Sequence, residues 1–279
     1  MSADAVFEAP DPDRLLDKEQ QKQYMAKLGV LNYLSTQCRA DIATVVSKLG
    51  SFMQQADDLH MRAVDRVFAY LVGTADDGIT YRRSGQRLMQ MFAYSDASFA
   101  DKGQTGDGRR RSQSGIVVLI NAVAVLWKST AQKSVACSTC ESELIALSQT
   151  AQEVVYLRRL LEFVGFVQTE PTVIFEDNTA AQAIASTDLA TKRSRFIDVR
   201  HFFCREKVQD GEIRVVRCDT KDQRADLFTK FLAKPAFDRH WLPICGQQEV
   251  EVDATAVSRL GSIAIGGSGF EQPTWLLLR

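Results

Sequence analysis

Helical spacing of apolar residues governs the front of the chain. In ADIATVVSKLGSFMQQ, residues Ile42, Val45, Val46, Leu49 and Met53 form an amphipathic stripe, which predicts a helix. Asp41 in its first turn suits the positive end of the helix dipole. HMRAVDRVFAYLVGT repeats the pattern with Ala63, Val67 and Leu71 on one face, and Gly73 marks the stop. Residues 1–28 are polar, carry Pro10 and Pro12, and read as a flexible leader ending in a short helix, DKEQQKQYMAKLG. From about residue 78 the period changes. ITYRR, LMQMFAYSD, SGIVVLI and AVLWKS are short β-type runs separated by turn residues. A long helix is predicted from Thr139 to about Val164, then a strand at TVIFED and a short helix at NTAAQAIAS. A basic loop (TKRSR), a helix (IDVRHFFCREKVQDG), a strand (EIRVVRC) and a last helix (KDQRADLFTKFL) complete the series. Such an order is mixed α/β. The pattern divides the chain into a leader (1–28), a helical segment (29–88), an α/β domain (89–245) and a tail (246–279).

Composition changes this picture little. The 279 residues are 45% hydrophobic and 25% charged, ordinary values for a globular protein. Lys and Arg total 34 against 35 Asp and Glu, so bulk charge does not mark a nucleic-acid binder, and any such binding needs local patches. The longest apolar run, Gly115 to Trp127, is interrupted by Asn121 and is too short to span a bilayer. The first residues lack a secretory pattern, and six cysteines in a chain this long do not make a disulfide scaffold. The expectation is a reduced, intracellular protein, cytoplasmic or nuclear, with no membrane partner.

Four carboxylates stand at the ends of predicted elements. Asp96 ends the strand MFAYSD, where a carboxylate can face a cleft; taken alone it would be an ordinary turn residue. Glu143 lies near the start of the long helix. At about 100° per residue it shares a face with Leu147, Ala151 and Val154, while Glu141 lies about 200° round, near solvent. An acid on an apolar face is costly unless it meets a cation or a partner. Asp177 follows TVIFE and has the right place for an N-cap, but Asn178 can cap as well and leaves Asp177 free. Asp226 lies four residues after Asp222, on the same face of the predicted helix, and spacing does not choose between them. Hard oxygen ligands of this kind suit Mg²⁺ or Mn²⁺, and two ions could clamp the attacking water and leaving oxygen of a phosphodiester.

At these residues the chain resembles a known family. AYSDASFAD, RRRSQSGIVVLI, VLWKSTAQKSVACSTCESELIALSQTAQEVVYLRRLLEFVG, VIFEDNTAAQAIA, RFIDVRHFFCREKVQDGEI and TKDQRADLFTK occur in a specific order between about Met89 and Lys234. Together they resemble the ribonuclease H domain of copia-type retrotransposon polyproteins. LNYLSTQCRADIATVVSKLGSFM, HMRAVDRVFAYLVGT and GITYRR, within residues 29–85, are similar to the thumb or connection end of the reverse transcriptase just upstream. The resemblance implies a five-stranded mixed sheet, its first three strands antiparallel, with helices on both faces. It implies hydrolysis of the RNA strand of an RNA–DNA hybrid with two Mg²⁺ or Mn²⁺ ions. It places Asp96, Glu143, Asp177 and Asp226 as catalytic and metal-binding residues, and so selects Asp226 over Asp222. A reverse transcriptase or another polyprotein-derived subunit is the implied protein partner.

The chain also departs from the family's pattern. Ser98 stands where a second acid often follows, the loop 101–109 is longer, Ala40 replaces a proline, and Phe196 and Phe202 replace histidines. No aromatic-x-Asp-Asp polymerase motif occurs: Asp57–Asp58 and Asp76–Asp77 lie at helix edges among polar residues. The expectation is the end of a polyprotein, a fragment, or a host gene made from one. A non-catalytic descendant is the alternative reading, and a transposase on the same fold a more distant one. The pair Cys137 and Cys140 has no second CxxC to complete a zinc site. Arg109, Arg110 and Arg111 precede a strand, and Lys192, Arg193, Arg195 and Arg200 cluster before and on the IDVR helix. These last four are the candidate phosphate contacts along a hybrid. Asp226→Asn is expected to abolish hybrid cleavage while Asp222→Asn cleaves normally; the reverse result would show that the last motif is misaligned.

Overall fold

The computed structural model describes residues 10–82, 89–100, 110–186 and 200–247, with backbone alone for 184–186 and 200–202. The helical front is built from α1 (Lys18–Gln37), α2 (Ala43–Gly50) and α3 (Asp58–Gly73). Five strands follow: β1 (Met91–Ser98), β2 (Gln113–Ile120), β3 (Val123–Ala131), β4 (Thr172–Glu176) and β5 (Ile213–Arg217). The remaining helices are α4 (Thr139–Phe163), α5 (Thr179–Ser186), α6 (Arg200–Gln209) and α7 (Lys234–Ile244). The strands form one sheet in the order β3-β2-β1-β4-β5. β1, β2 and β3 are antiparallel neighbours; β4 runs parallel to β1, and β5 parallel to β4. This is the sheet of a ribonuclease H-like fold, as the resemblance implied.

Both faces of the sheet are covered, and β2 shows why. Its residues alternate between two cores. Ile116 and Val118 join Met91, Ala93, Ile174 and the α4 residues Leu147, Ala151 and Val154 on one face. Val117 and Leu119 join Phe228, Trp241 and Ile244 on the other, together with Ala40 and Ala43 from the helical front. The front has its own core as well, including Tyr24, Leu28, Leu31, Val46, Leu49 and Val64.

Four expectations are corrected. First, the boundary at residue 28 falls inside α1. Asp17 and Gln20 form a capping box, so the helix begins at Lys18, and Tyr24 and Leu28 are buried. Second, the boundary at 88 does not separate the helical segment from the α/β domain. The Thr44 hydroxyl donates to the Leu227 carbonyl (2.6 Å) and the Trp127 indole N–H to the Ser35 carbonyl (2.6 Å). Residues up to Gln248 accordingly form one compact unit. Third, ITYRR forms no strand over its described residues. Thr80 N–H donates to the Cys245 carbonyl (2.7 Å) instead of entering the sheet. Fourth, KDQRADLFTKFL is no α-helix. It makes two 3₁₀ turns, Thr220–Asp222 and Arg224–Phe228, because the Gln223 side chain caps the second by accepting from Ala225 N–H. A further helix, α7, starts at Lys234 with Pro235 in its first turn, where no intrahelical N–H is needed. Most of the predicted tail, 248–279, lies outside the described residues. Among the described residues no helix is long and apolar enough to cross a membrane.

One glycine brings these parts together. Gly115 of β2 lies opposite Asp96 in the ladder. A Cβ there would stand 2.6 Å from Thr229 Cγ2 and 2.7 Å from the Ala225 carbonyl oxygen. The turn that carries Asp226 therefore rests directly on strand backbone. Gly115→Ala is expected to push that turn away and destabilise the fold by about 1–3 kcal/mol. A urea midpoint unchanged by the substitution would show that the turn yields freely.

Candidate metal centre

Three elements deliver three acids to one point. Asp96 sits near the end of β1 and is 1% exposed. The Thr229 hydroxyl donates a short hydrogen bond to its Oδ2. Glu143 lies on the inner face of α4, above the buried Leu147, Ala151 and Val154. Its neighbour Glu141 has a separate task. The Ser138 hydroxyl caps α4 by accepting from Glu141 N–H (3.1 Å), and Glu141 Oε2 accepts from Cys137 N–H (2.7 Å). Glu143 Oε2 is left buried without a hydrogen-bond partner. Asp177 follows β4. Asn178 caps α5, its Oδ1 accepting from Ala180 N–H (3.0 Å) and Ala181 N–H (3.1 Å), so Asp177 has no capping role. One carboxylate oxygen each from Asp96, Glu143 and Asp177 lies within 4.8 Å of the others.

Asp226 is not part of this trio but lies beside it. It is held in the second 3₁₀ turn and pairs with Lys230, whose Nζ is 2.6 Å from Asp226 Oδ1 and 3.5 Å from Asp96 Oδ1. Asp222 is exposed in the preceding turn, so the two acids do not share a helix face. Of the proposed phosphate contacts, Lys192, Arg193 and Arg195 lie outside the described residues. Arg200 begins α6, where the backbone alone is described.

Sequence reasoning missed three participants. Glu176, the last residue of β4, is fully buried; its Oε1 accepts from Asn178 N–H (3.1 Å) and its Oε2 has no partner. The period of two in TVIFED held a signal, because Glu176 falls on the same face as the core residue Ile174. Lys230 and Thr229 were legible only as neighbours of Asp226 in the ADLFTK motif.

Electrostatics follow from this crowding. Burial pushes the Asp96 carboxyl up to about 6; Lys230 opposes the rise and Asp226 adds to it. Burial, with Glu176 and Asp96 nearby, pushes Glu143 up to about 10, partly offset by the Ala97 backbone N–H. Glu176 lies well above the carboxylate range, first through burial and then through Asp177 and Asp96. Asp226 is raised by burial against the pull of Lys230. For Lys230, burial works against the charge, yet Asp96 and Asp226 outweigh it and hold the ammonium above its usual value. Buried carboxylates with unpaired oxygens are what a hard divalent cation would relieve, so the donor set fits Mg²⁺ or Mn²⁺.

No family model matches the chain. It is 34% identical over 215 residues to the retrovirus-related Pol polyprotein from transposon RE2 of Arabidopsis thaliana, a match covering 77% of the chain and 14% of that polyprotein. The corresponding polyprotein from transposon TNT 1-94 of Nicotiana tabacum is 32% identical over 216 residues, covering 77% of the chain and 16% of the relative. The chain thus spans about one seventh of the length of the Pol relatives it matches. Secreted RxLR effector protein 161 of Plasmopara viticola is 35% identical over 134 residues, covering 48% of the chain and 90% of the effector. Among solved structures, LC11-RNase H1 from compost matches with a TM-score of 0.34 at 12% identity, covering 55% of this chain and 98% of that one. That likeness adds nothing to the sheet topology described above.

The raised carboxyls make stability depend on pH and metal. A carboxyl whose folded pKa exceeds its unfolded value favours the fold fully below the unfolded value. That contribution is lost as pH rises toward the folded one. For Glu143 the window runs from its ordinary 4.5 to about 10, and for Asp96 from 3.8 to about 6. The metal-free protein is expected to lose stability as pH rises from 5 to 8, by at most about 1.4 kcal/mol per unit for one carboxyl. Glu143→Gln should reduce that slope without abolishing it, because Glu176 and Asp96 are raised as well, and Mg²⁺ or Mn²⁺ should restore stability at pH 8. Melting curves across this range test it; a slope left unchanged by Glu143→Gln would assign it to another group.

Proposed function

This chain belongs to the Pol polyproteins of retrotransposons, its folded region is a ribonuclease H-like module, and we propose that the acidic cleft is that module's metal-dependent hydrolytic centre. In this reading it cuts the RNA strand of an RNA–DNA hybrid and leaves 3′-OH and 5′-phosphate ends. The observation that carries the proposal is the convergence of Asp96, Glu143 and Asp177 from β1, α4 and the end of β4 to within 4.8 Å. Carboxylates gathered and buried this closely repel one another when ionised, a cost that a bound cation would relieve.

These three residues would hold the ion. When bound, a divalent ion supplies a Lewis acid for the phosphodiester and lowers the pKa of its water. The chain's own groups do the rest. Thr229 donates to Asp96 and fixes the carboxylate's orientation. The Gln223 side-chain amide donates to the Ser95 carbonyl (2.8 Å) and ties the 3₁₀ turn to β1 beside Asp96. Lys230 is 39% exposed, so its ammonium can meet an incoming phosphate from the open side of the cleft. The basic cluster Lys192, Arg193, Arg195 and Arg200 is proposed to follow the hybrid's backbone. The protein partner in this reading is a reverse transcriptase or another product of the same polyprotein.

A second reading, a non-catalytic module that binds nucleic acid or protein, has one observation in its favour. The matched stretch makes up 90% of a relative that bears an effector's name. Cleavage of a labelled RNA–DNA hybrid in Mg²⁺ and in Mn²⁺ separates the two. The enzyme reading expects metal-dependent cutting of the RNA strand that falls more than about 100-fold in Asp96→Asn, beyond the usual loss from an outer-shell change. A folded, hybrid-binding protein that cuts nothing would select the second reading.

A further inference from the structure

The cleft already contains one cation of its own. Lys230 is four residues beyond Asp226, and its Nζ bridges Asp226 Oδ1 at 2.6 Å and Asp96 Oδ1 at 3.5 Å. The bridge is built on a fixed turn: Lys230 N–H donates to the Asp226 carbonyl (2.9 Å) and Thr229 N–H to the same carbonyl (3.2 Å). The first of these distances is that of a short charge-assisted hydrogen bond. Asp226 and Asp96 are thereby joined through the ammonium, while Asp96, Glu143 and Asp177 form a three-oxygen cluster that does not include Asp226. The Asp96–Asp226 edge is neutralised by a tethered ammonium, and the Glu143 edge keeps the unpartnered, nine-tenths-buried Glu143 Oε2.

We propose that Lys230 takes the place of a second divalent ion, so that the protein without substrate binds one ion, at Asp96, Glu143 and Asp177. This inference rests on the metal-centre reading above. An ammonium held between Asp96 and Asp226 repels a divalent ion at that edge and occupies the carboxylate oxygen the ion would need. Lys230 is in this sense a positioning residue: it sets how many ions the carboxylates accept. Entry of a second ion requires the lysine to leave Asp226, which ties full loading of the cleft to an event that draws the ammonium away, such as the arrival of a phosphate.

Mn²⁺ titration followed by electron paramagnetic resonance counts the ions without reference to activity. The count is taken as the difference between each protein and the same protein carrying Asp96→Asn, which removes background sites. One ion is expected for the native chain, two for Lys230→Gln, and one again for Lys230→Arg, which restores the cation. Two ions in the native chain, or one in Lys230→Gln, would overturn the proposal while leaving the metal centre standing. No ion in the native chain would overturn the metal centre itself. Where Lys230→Gln does not fold, Lys230→Met takes its place in the same count, with two ions expected.

Discussion

Five carboxyl groups, from Asp96, Glu143, Glu176, Asp177 and Asp226, share the space at the ends of β1 and β4, and four of them are buried. Burial raises the cost of ionising each group, and each ionised neighbour adds to it. The raised values at Asp96, Glu143, Glu176 and Asp226 are one consequence of that single constraint. The unpaired oxygens of Glu143 and Glu176 are another. A fold that keeps such a cluster needs positive charge within reach. Lys230 supplies one unit on the Asp226 side. Asp96, Glu143 and Asp177 bring three carboxylate oxygens together, and Lys230 reaches this trio only through its 3.5 Å contact with Asp96.

The surrounding structure holds the groups in this costly arrangement. The α4 face buries Leu147, Ala151 and Val154 against the sheet, and Glu143 is carried inward with them. Asn178 takes over the capping of α5, which releases Asp177. The bare backbone at Gly115 admits the 3₁₀ turn that delivers Asp226, Thr229 and Lys230. On the far side of that turn, Thr44 of α2 is bonded to Leu227. The helical front therefore braces the turn, and through it the cleft.

Much of this was legible in the sequence because it is local. The β-type runs from LMQMFAYSD onward and their alternation with helices gave the mixed α/β elements, and the family resemblance supplied their arrangement in one sheet. The helical period separated Glu143 from Glu141, and the adjacent Asn178 left Asp177 available. What escaped was tertiary or sparse. The polar first turns of α1 resembled a leader, so one continuous helix was divided at residue 28, although Asp17 and Gln20 cap its start. ITYRR has strand composition, but its backbone bonds to Cys245 rather than to a sheet edge. The spacing of Asp222 and Asp226 suggested a helix face, whereas the Gln223 cap divides them into separate turns. Nothing local could show that Lys230 reaches Asp96, or that Glu176 is turned toward Glu143.

The central claim is that Asp96, Glu143 and Asp177 together bind a divalent cation. Anomalous diffraction from crystals soaked in Mn²⁺ tests it most directly. The account predicts a manganese peak with carboxylate oxygens of all three residues in its coordination shell. A crystal whose carboxylates are accessible to solvent, yet whose manganese lies elsewhere or is absent, would contradict it.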